Sequence, residues 1–383
     1  MAGLRPLKPG LDCRPLQRQR SARRGIGRVT RELVTALLER PELASPVLFF
    51  DHGPIPEEWR GYRWARLPAL IPWRREVSRL AATCRPWNLR RSGIDAFLAS
   101  DVLQGIPRGV PVVSIAYDLI PLRYPEIYLH TGGPRPLKGL VSRFGYRRLT
   151  SVGYGRAAAV AAISEPTRQE LIGWLGIAPR RVTVASPGIS PGYRPLQLPR
   201  EPLLLYVGGT DRRKRVEELI EGFAALIGQP GLTDFRLMLV GGEFLERTPL
   251  TGRLARPDLR GRVLRPGHVP EAELVQLYNR ATALVLPSRA EGFGLTPVEA
   301  LACGTPVIVA RDGEYPLELG DLKRELDPAH PATLAAAVRS IVESPDYRRQ
   351  VAEQGPVFAS QFRWERMAGM VIGLLERVAS GRR

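Results

Sequence analysis

Cysteine, lysine and long apolar runs are the conspicuous shortages of this 383-residue chain. Its three cysteines, Cys13, Cys84 and Cys303, are too few and too scattered for a disulfide framework or a pair of metal ligands, and an odd count fits a reducing compartment. No run of eighteen apolar residues occurs, so no helical membrane span is expected. The opening MAGLRPLKPGLDCRPL has positive charge but neither a continuous apolar stretch nor a small-residue cleavage site, so a secretory signal is not expected and a cytoplasmic location is. No Asp-x-Asp sequence is present, which removes the simplest carboxylate pair for a bound metal. Lysine appears only at positions 8, 138, 214 and 323, so the net charge of +18 is almost wholly arginine. Such a charge suits nucleic acid, anionic lipid or phosphorylated small molecules. With no helix-turn-helix signal, zinc spacing or aromatic-basic recognition motif, a nucleic-acid partner is not expected.

What is present is alternation. Apolar runs of strand length, such as 47–50, 96–100, 111–117, 158–163 and 181–185, alternate with helix-period segments at 26–39, 137–149 and 166–175. A stretch dense in proline and glycine, 186–202, reads as a linker. Beyond it the pattern restarts, with strands at 203–207, 236–241, 283–287 and 306–310 and helices at 216–227, 271–280 and from Pro297; helices at 331–342, 347–358 and 364–378 close the chain. The fold class is therefore α/β, two doubly wound parallel-sheet domains, with ligand expected at the carboxyl ends of the strands. The boundaries read as 1–195, 196–365 and a terminal helix, 366–383, packing back on the first domain.

The most specific segment is PSRAEGFGLTPVEALACGTPVIVA, residues 287–310. Glu291 and Glu299 stand eight residues apart around a glycine-containing loop that opens a helix. Free N–H groups at that helix start suit a diphosphate, and Gly292 and Gly294 let backbone approach closely. Thr296, Pro297 and Glu299 also form a Thr-Pro-x-Glu pattern, so a capping box with Thr296 as N-cap explains Glu299 equally well. Glu291 has no such local role and is a natural acceptor for sugar hydroxyls.

This segment resembles the E-x7-E signature of the family 4 glycosyltransferases, retaining enzymes of GT-B fold. The resemblance implies that Glu291 binds donor-sugar hydroxyls, that the backbone of Phe293, Gly294, Leu295 and Thr296 holds the diphosphate, and that Glu299 reaches the nucleotide ribose. A second segment, LYVGGTDRRKRVEELIEGF at 205–223, places Gly208, Gly209 and a basic cluster after a strand. Fixed cations there would stabilise a departing nucleoside diphosphate without a metal. In the family this loop carries a phosphate-contacting pair, matched by Arg213 and Lys214, although family members often have arginine where this chain has Gly209. The turn RRGIGRVTREL at 23–33 is similar to the family's first-strand loop, with Gly25 and Gly27 leaving room for donor phosphate and acceptor. In SIAYDLIPLRYPEIY, 114–128, Asp118 is a candidate for orienting sugar or acceptor, N-capping being the alternative, and Tyr117 stands where relatives carry histidine. His268 and Val269 are expected near the nucleotide base.

The resemblance spans about Leu11 to Trp364, with a poor match between 51 and 94. It implies a hexosyltransferase that moves a sugar, mannose from GDP-mannose first and UDP- or dTDP-sugars next, to a saccharide or polyprenyl-linked saccharide in cell-surface polysaccharide synthesis. No metal and no further cofactor is expected. The basic, apolar-studded segments 67–91 and 135–149 suit either peripheral docking at the inner face of an anionic membrane or packing of their apolar faces on their own domain, the latter favoured for 135–149.

Overall fold

The computed structural model describes residues 6–17, 25–51, 53–67, 87–129, 136–241 and 249–381. The chain divides into two compact units, Met1–Gly188 with Arg363–Arg383, and Ile189–Phe362.

The first unit is a seven-stranded parallel sheet in the order β3-β2-β1-β4-β5-β6-β7. Its strands are β1 (Pro9–Asp12), β2 (Val47–Phe50), β3 (Trp64–Arg66), β4 (Ala96–Ala99), β5 (Val112–Ala116), β6 (Ala159–Ala162) and β7 (Val182–Val184). The inner strands are buried on both faces, which is why they read as unbroken apolar runs rather than as alternation. Helices α1 (Gly25–Leu38), α2 (Ile120–Arg123), α3 (Pro125–Tyr128), α4 (Pro136–Arg156) and α5 (Glu165–Leu175) connect them. At α5, Ser164 caps the first turn through Thr167 N, and Gly176, at φ 68°, ends it in the left-handed conformation that glycine adopts most readily.

The second unit carries six parallel strands in the order β10-β9-β8-β11-β12-β13. These are β8 (Glu201–Val207), β9 (Arg236–Val240), β10 (Val263–Gly267), β11 (Ala281–Leu286), β12 (Val307–Ala310) and β13 (Lys323–Leu326). The helices are α6 (Val216–Ile227), α7 (Pro249–Leu254), α8 (Glu271–Arg280), α9 (Leu295–Ala302), α10 (Ala332–Val342) and α11 (Pro345–Ala359). Helix α12 (Trp364–Ala379) belongs to the first unit, where its buried face, including Met367, Val371, Ile372 and Leu375, packs on α1 and on the sheet. Inside the second unit, the largely buried Arg200 gathers the carbonyls of Tyr278, Ala281, Cys303 and Gly304 and the Thr305 hydroxyl, tying the ends of α8 and α9 to one guanidinium. Cys13 and Cys303 are buried and unbridged.

Several sequence expectations are corrected. Helix α4 runs on to Arg156, past the expected end at Leu149. Strands β3, β10 and β13, which lie at sheet edges, carry no strong apolar signal and are not among the strands the sequence predicts; nor is β1, buried and central in its sheet, whose Pro-Gly-Leu-Asp is too short an apolar run to stand out. The basic segment 67–91 falls outside the described residues over 68–86, as do Cys84, the start of the 23–33 turn and residues 130–135.

Candidate functional site

In the second unit the chain leaves β8 towards β9 and β10, then returns past β8 to form β11. The crevice outside the carboxyl ends of β8 and β11 is the topological switch point, where doubly wound sheets bind ligand. Two loops meet there, 208–215 after β8 and 287–294 after β11.

They are joined by charge. Lys214 Nζ lies 2.6 Å from Glu291 Oε1 and Arg213 Nη1 lies 3.1 Å from Glu291 Oε2. Arg213 also donates to the Ala290 carbonyl, and its own carbonyl accepts from Arg289 N at 2.8 Å. All three side chains are at least 86% buried, with exposures of 13%, 14% and 10% for Arg213, Lys214 and Glu291. Burial alone would raise the Glu291 pKa, but the charges of Lys214 and Arg213, with the hydrogen bond from Lys214, outweigh it and pull the carboxyl down to about 2. Burial also lowers the Lys214 pKa, opposed by Glu291. The result is a largely covered cluster of one anion and two cations.

Beside it, α9 begins at Leu295 with Gly294 as N-cap, φ 96°. Glycine has no side chain to satisfy the first-turn N–H groups, and the left-handed backbone is one it adopts without strain. Of the two readings left open for Glu299, the structure removes the capping box: Thr296 sits inside the helix and is not its N-cap. Glu299 instead is fully buried and accepts a hydrogen bond from Tyr278 of α8, Oη to Oε2 at 2.9 Å. Contact with a ribose would require that carboxylate to be uncovered. Phe293, between Gly292 and Gly294, is buried with its ring edge-on to Phe362 at 5.4 Å, which anchors the glycine loop at that point.

The glycines after β8 serve close approach. Gly208 N bonds to Val240 O at 3.0 Å, and a Cβ on Gly241, at φ 84°, would stand 3.1 Å from Gly208 O. Gly209 O accepts from Tyr206 Oη at 2.5 Å. After β10, Val269 is buried and His268 is exposed, both following Gly267 at φ 77°.

The remaining candidates lie in the first unit. Gly25 opens α1, where an added Cβ would meet nothing within 4 Å, and Gly27 is buried one half-turn on. Asp118 Oδ1 accepts from Ile120 N at 3.0 Å, a local turn contact; the N-cap of α2 is Leu119, with no side-chain cap, so the N-capping alternative for Asp118 is not what the helix start uses. Tyr117, in the place of the absent histidine, has its hydroxyl 3.4 Å from Thr30 of α1, and burial raises its pKa. One feature escaped the sequence reading. Asp12 at the end of β1 and Arg14 form a buried two-bond pair, 2.7 and 2.8 Å, with Arg14 lying over the Trp87 ring at 4.7 Å. Its signal was an apolar strand ending on Asp-x-Arg.

Among the described residues, no group of three or more metal-ligating side chains and no helix long and apolar enough to cross a membrane is found. Residues 23–193 match the Glycosyltransferase Family 4 profile and residues 194–357 the Glycosyl transferases group 1 profile. The D-inositol 3-phosphate glycosyltransferase of Rhodococcus jostii is 32% identical over 293 residues, 70% of this chain and 61% of that protein. The O-antigen chain mannosyltransferase B of Escherichia coli is 27% identical over 221 residues, 55% of this chain and 58% of its own. The chain spans about half to three fifths of the length of the curated relatives it matches. In fold it is similar to the sucrose-phosphate synthase of Thermosynechococcus elongatus, with a TM-score of 0.77 at 21% identity, covering 98% of this chain and 100% of that one. With two Rossmann-like parallel-sheet units and one glycosyltransferase profile on each half, the chain belongs to the GT-B glycosyltransferases of the family 4 and group 1 type.

Proposed function

We propose that the protein transfers a hexose from a nucleoside diphosphate sugar to a saccharide or lipid-linked saccharide, with GDP-mannose as first donor and UDP- or dTDP-sugars next. The observation that carries this is the Lys214–Glu291–Arg213 cluster at the β8/β11 switch point, beside the glycine-capped start of α9. Two buried cations and uncapped N–H groups at a helix start are what a diphosphate requires. In this reading the phosphates lie against Arg213, Lys214 and the backbone of Phe293–Thr296, and Glu291 turns its oxygens to sugar hydroxyls. Gly208 and Gly209 allow the close approach, and His268 and Val269 line the path to the base.

Transfer with retention is proposed from the family resemblance, with the same groups serving it. The acceptor oxygen attacks the anomeric carbon on the face the diphosphate leaves; the carbon–oxygen bond to phosphate breaks as the new glycosidic bond forms, and the acceptor proton passes to the leaving phosphate oxygen. A double displacement would need a second carboxylate about 5 Å from the first, and Glu299 is buried against Tyr278. Arg213 and Lys214 stabilise the departing charge, so no metal is required. Gly25, Gly27 and Asp118 are proposed to serve the acceptor.

The test is Lys214→Ala in a donor-consumption assay, after thermal-shift screening with GDP, UDP, dTDP and ADP selects the donor. We expect turnover to fall about a hundredfold or more, the scale of losing one charge-stabilising group, with a far smaller change in melting. Equal turnover of variant and parent would sink the assignment.

A further inference from the structure

The turn that carries Arg213 and Lys214 is also held from a side that neither cation touches. Arg215, the next residue, has φ 51° and ψ 41°, and Ser45 is the other non-glycine residue with positive φ among those described. A residue with a β-carbon stays in this region only where its surroundings hold it there. Here the hold is visible: Arg215 Nη1 and Nη2 donate to Asp312 Oδ1 and Oδ2, both at 2.6 Å, in the planar two-bond pairing of guanidinium with carboxylate.

Asp312 stands just beyond β12, in a loop that is itself braced to the Glu291 loop. Glu314 N bonds to Arg289 O and Glu291 N to Glu314 O, each at 2.9 Å. The Tyr315 hydroxyl lies 2.8 Å from both the Leu286 and Ser288 carbonyl oxygens and accepts from Ala310 N at 3.1 Å. The loops after β8, β11 and β12 thus form a closed ring, with Lys214–Glu291 as one link and Arg215–Asp312 as another. Asp312 is 59% exposed and Arg215 16%. Exposure of Asp312 weakens the charge attraction, but the two-bond pairing with a largely covered guanidinium is the geometry in which such a pair still counts, and it acts on the conformation of the turn.

We propose that Asp312 is a positioning residue for nucleoside diphosphate binding. By fixing Arg215 in the left-handed region it sets the turn so that Lys214 and Arg213 stand ready before the ligand arrives. This rests on the reading of those two residues as the diphosphate cations.

The test measures dissociation constants of GDP, UDP, dTDP and ADP by titration calorimetry on the full chain, then follows the tightest through a set of variants. Asp312→Ala should weaken binding about tenfold with little change in the urea midpoint. Glycine occupies the left-handed region without support, so Arg215→Gly alone, and Arg215→Gly combined with Asp312→Ala, should bind within about threefold of the parent. An Asp312→Ala variant that binds like the parent overturns the proposal. So does a double variant no tighter than Asp312→Ala, since Asp312 would then act on the ligand directly. Lys214→Ala is measured alongside: if it binds like the parent, or if the parent binds none of the four nucleotides, the donor-site reading itself has failed.

Discussion

A carboxylate with two cations is held charged by its neighbours, and Glu291 is the clearest case. Its pKa of about 2 in the folded chain lies below the ordinary value of 4.5, so the folded state binds fewer protons than the unfolded one across that interval. The sign follows: the contribution to stability is fully present above about pH 4.5 and is lost as the pH falls towards 2. A shift of this size corresponds to on the order of 3 kcal/mol. In Glu291→Gln the dependence should vanish, so urea midpoints of parent and variant, well separated at pH 7, should draw together below about pH 4.5 and converge as the pH approaches 2. Parallel curves would show that Lys214 and Arg213 do not set the charge of Glu291. Glu291 was legible in the sequence because a carboxylate in a glycine-rich turn after an apolar strand has no local use. Asp312 and Arg215 were not legible. Their pairing spans 97 positions and only the fold brings them together.

At the scale of elements, legibility followed the length of the buried apolar run, so that β1, buried but only Pro-Gly-Leu-Asp, was missed. Central strands such as β4, β5, β8 and β11 stood out as apolar runs because both of their faces are covered, whereas the edge strand β13, Lys-Arg-Glu-Leu, reads as a polar loop. Helix starts were legible to within a few residues, but the partner of Glu299 was not: the Thr-Pro-x-Glu spacing permits a capping box, and the buried Tyr278 hydroxyl on α8 competed for the carboxylate and won. Packing of α9, which carries the candidate anion site at its start, depends on a glycine that no motif flagged. A Cβ on Gly355 of α11 would stand 2.6 Å from the Leu301 carbonyl oxygen of α9. Gly355→Ala must push the two helices apart, at a cost of about 1–3 kcal/mol typical of overpacking. Chemical denaturation should record that loss, and nucleotide affinity should fall with it because the α9 start shifts. An unchanged denaturation midpoint would mean the helices have slack that the structure does not display.

For the molecule as a whole, the net charge of +18 is unevenly spread. No acidic residue occurs between Glu126 and Glu165, a stretch that contains α4 and six basic residues. On α4, Phe144 is 68% exposed and Arg143, Arg147 and Arg148 are exposed beside it. An apolar ring among arginines is the pattern of a surface that meets anionic lipid. The protein should therefore co-sediment with vesicles containing phosphatidylglycerol at low salt and detach as ionic strength rises. Phe144→Ala with Arg147→Glu should weaken binding at least tenfold, and equal sedimentation with neutral and anionic vesicles would rule the surface out. Finally, because α12 belongs to the first unit although 174 residues of the second intervene between Gly188 and Arg363, the unit whose synthesis begins first is the one whose last element is made last. The later half holds all its own strands once Phe362 has left the ribosome, while the earlier half must wait, with the face that α12 covers still open to water and to chaperones, until the final helix emerges.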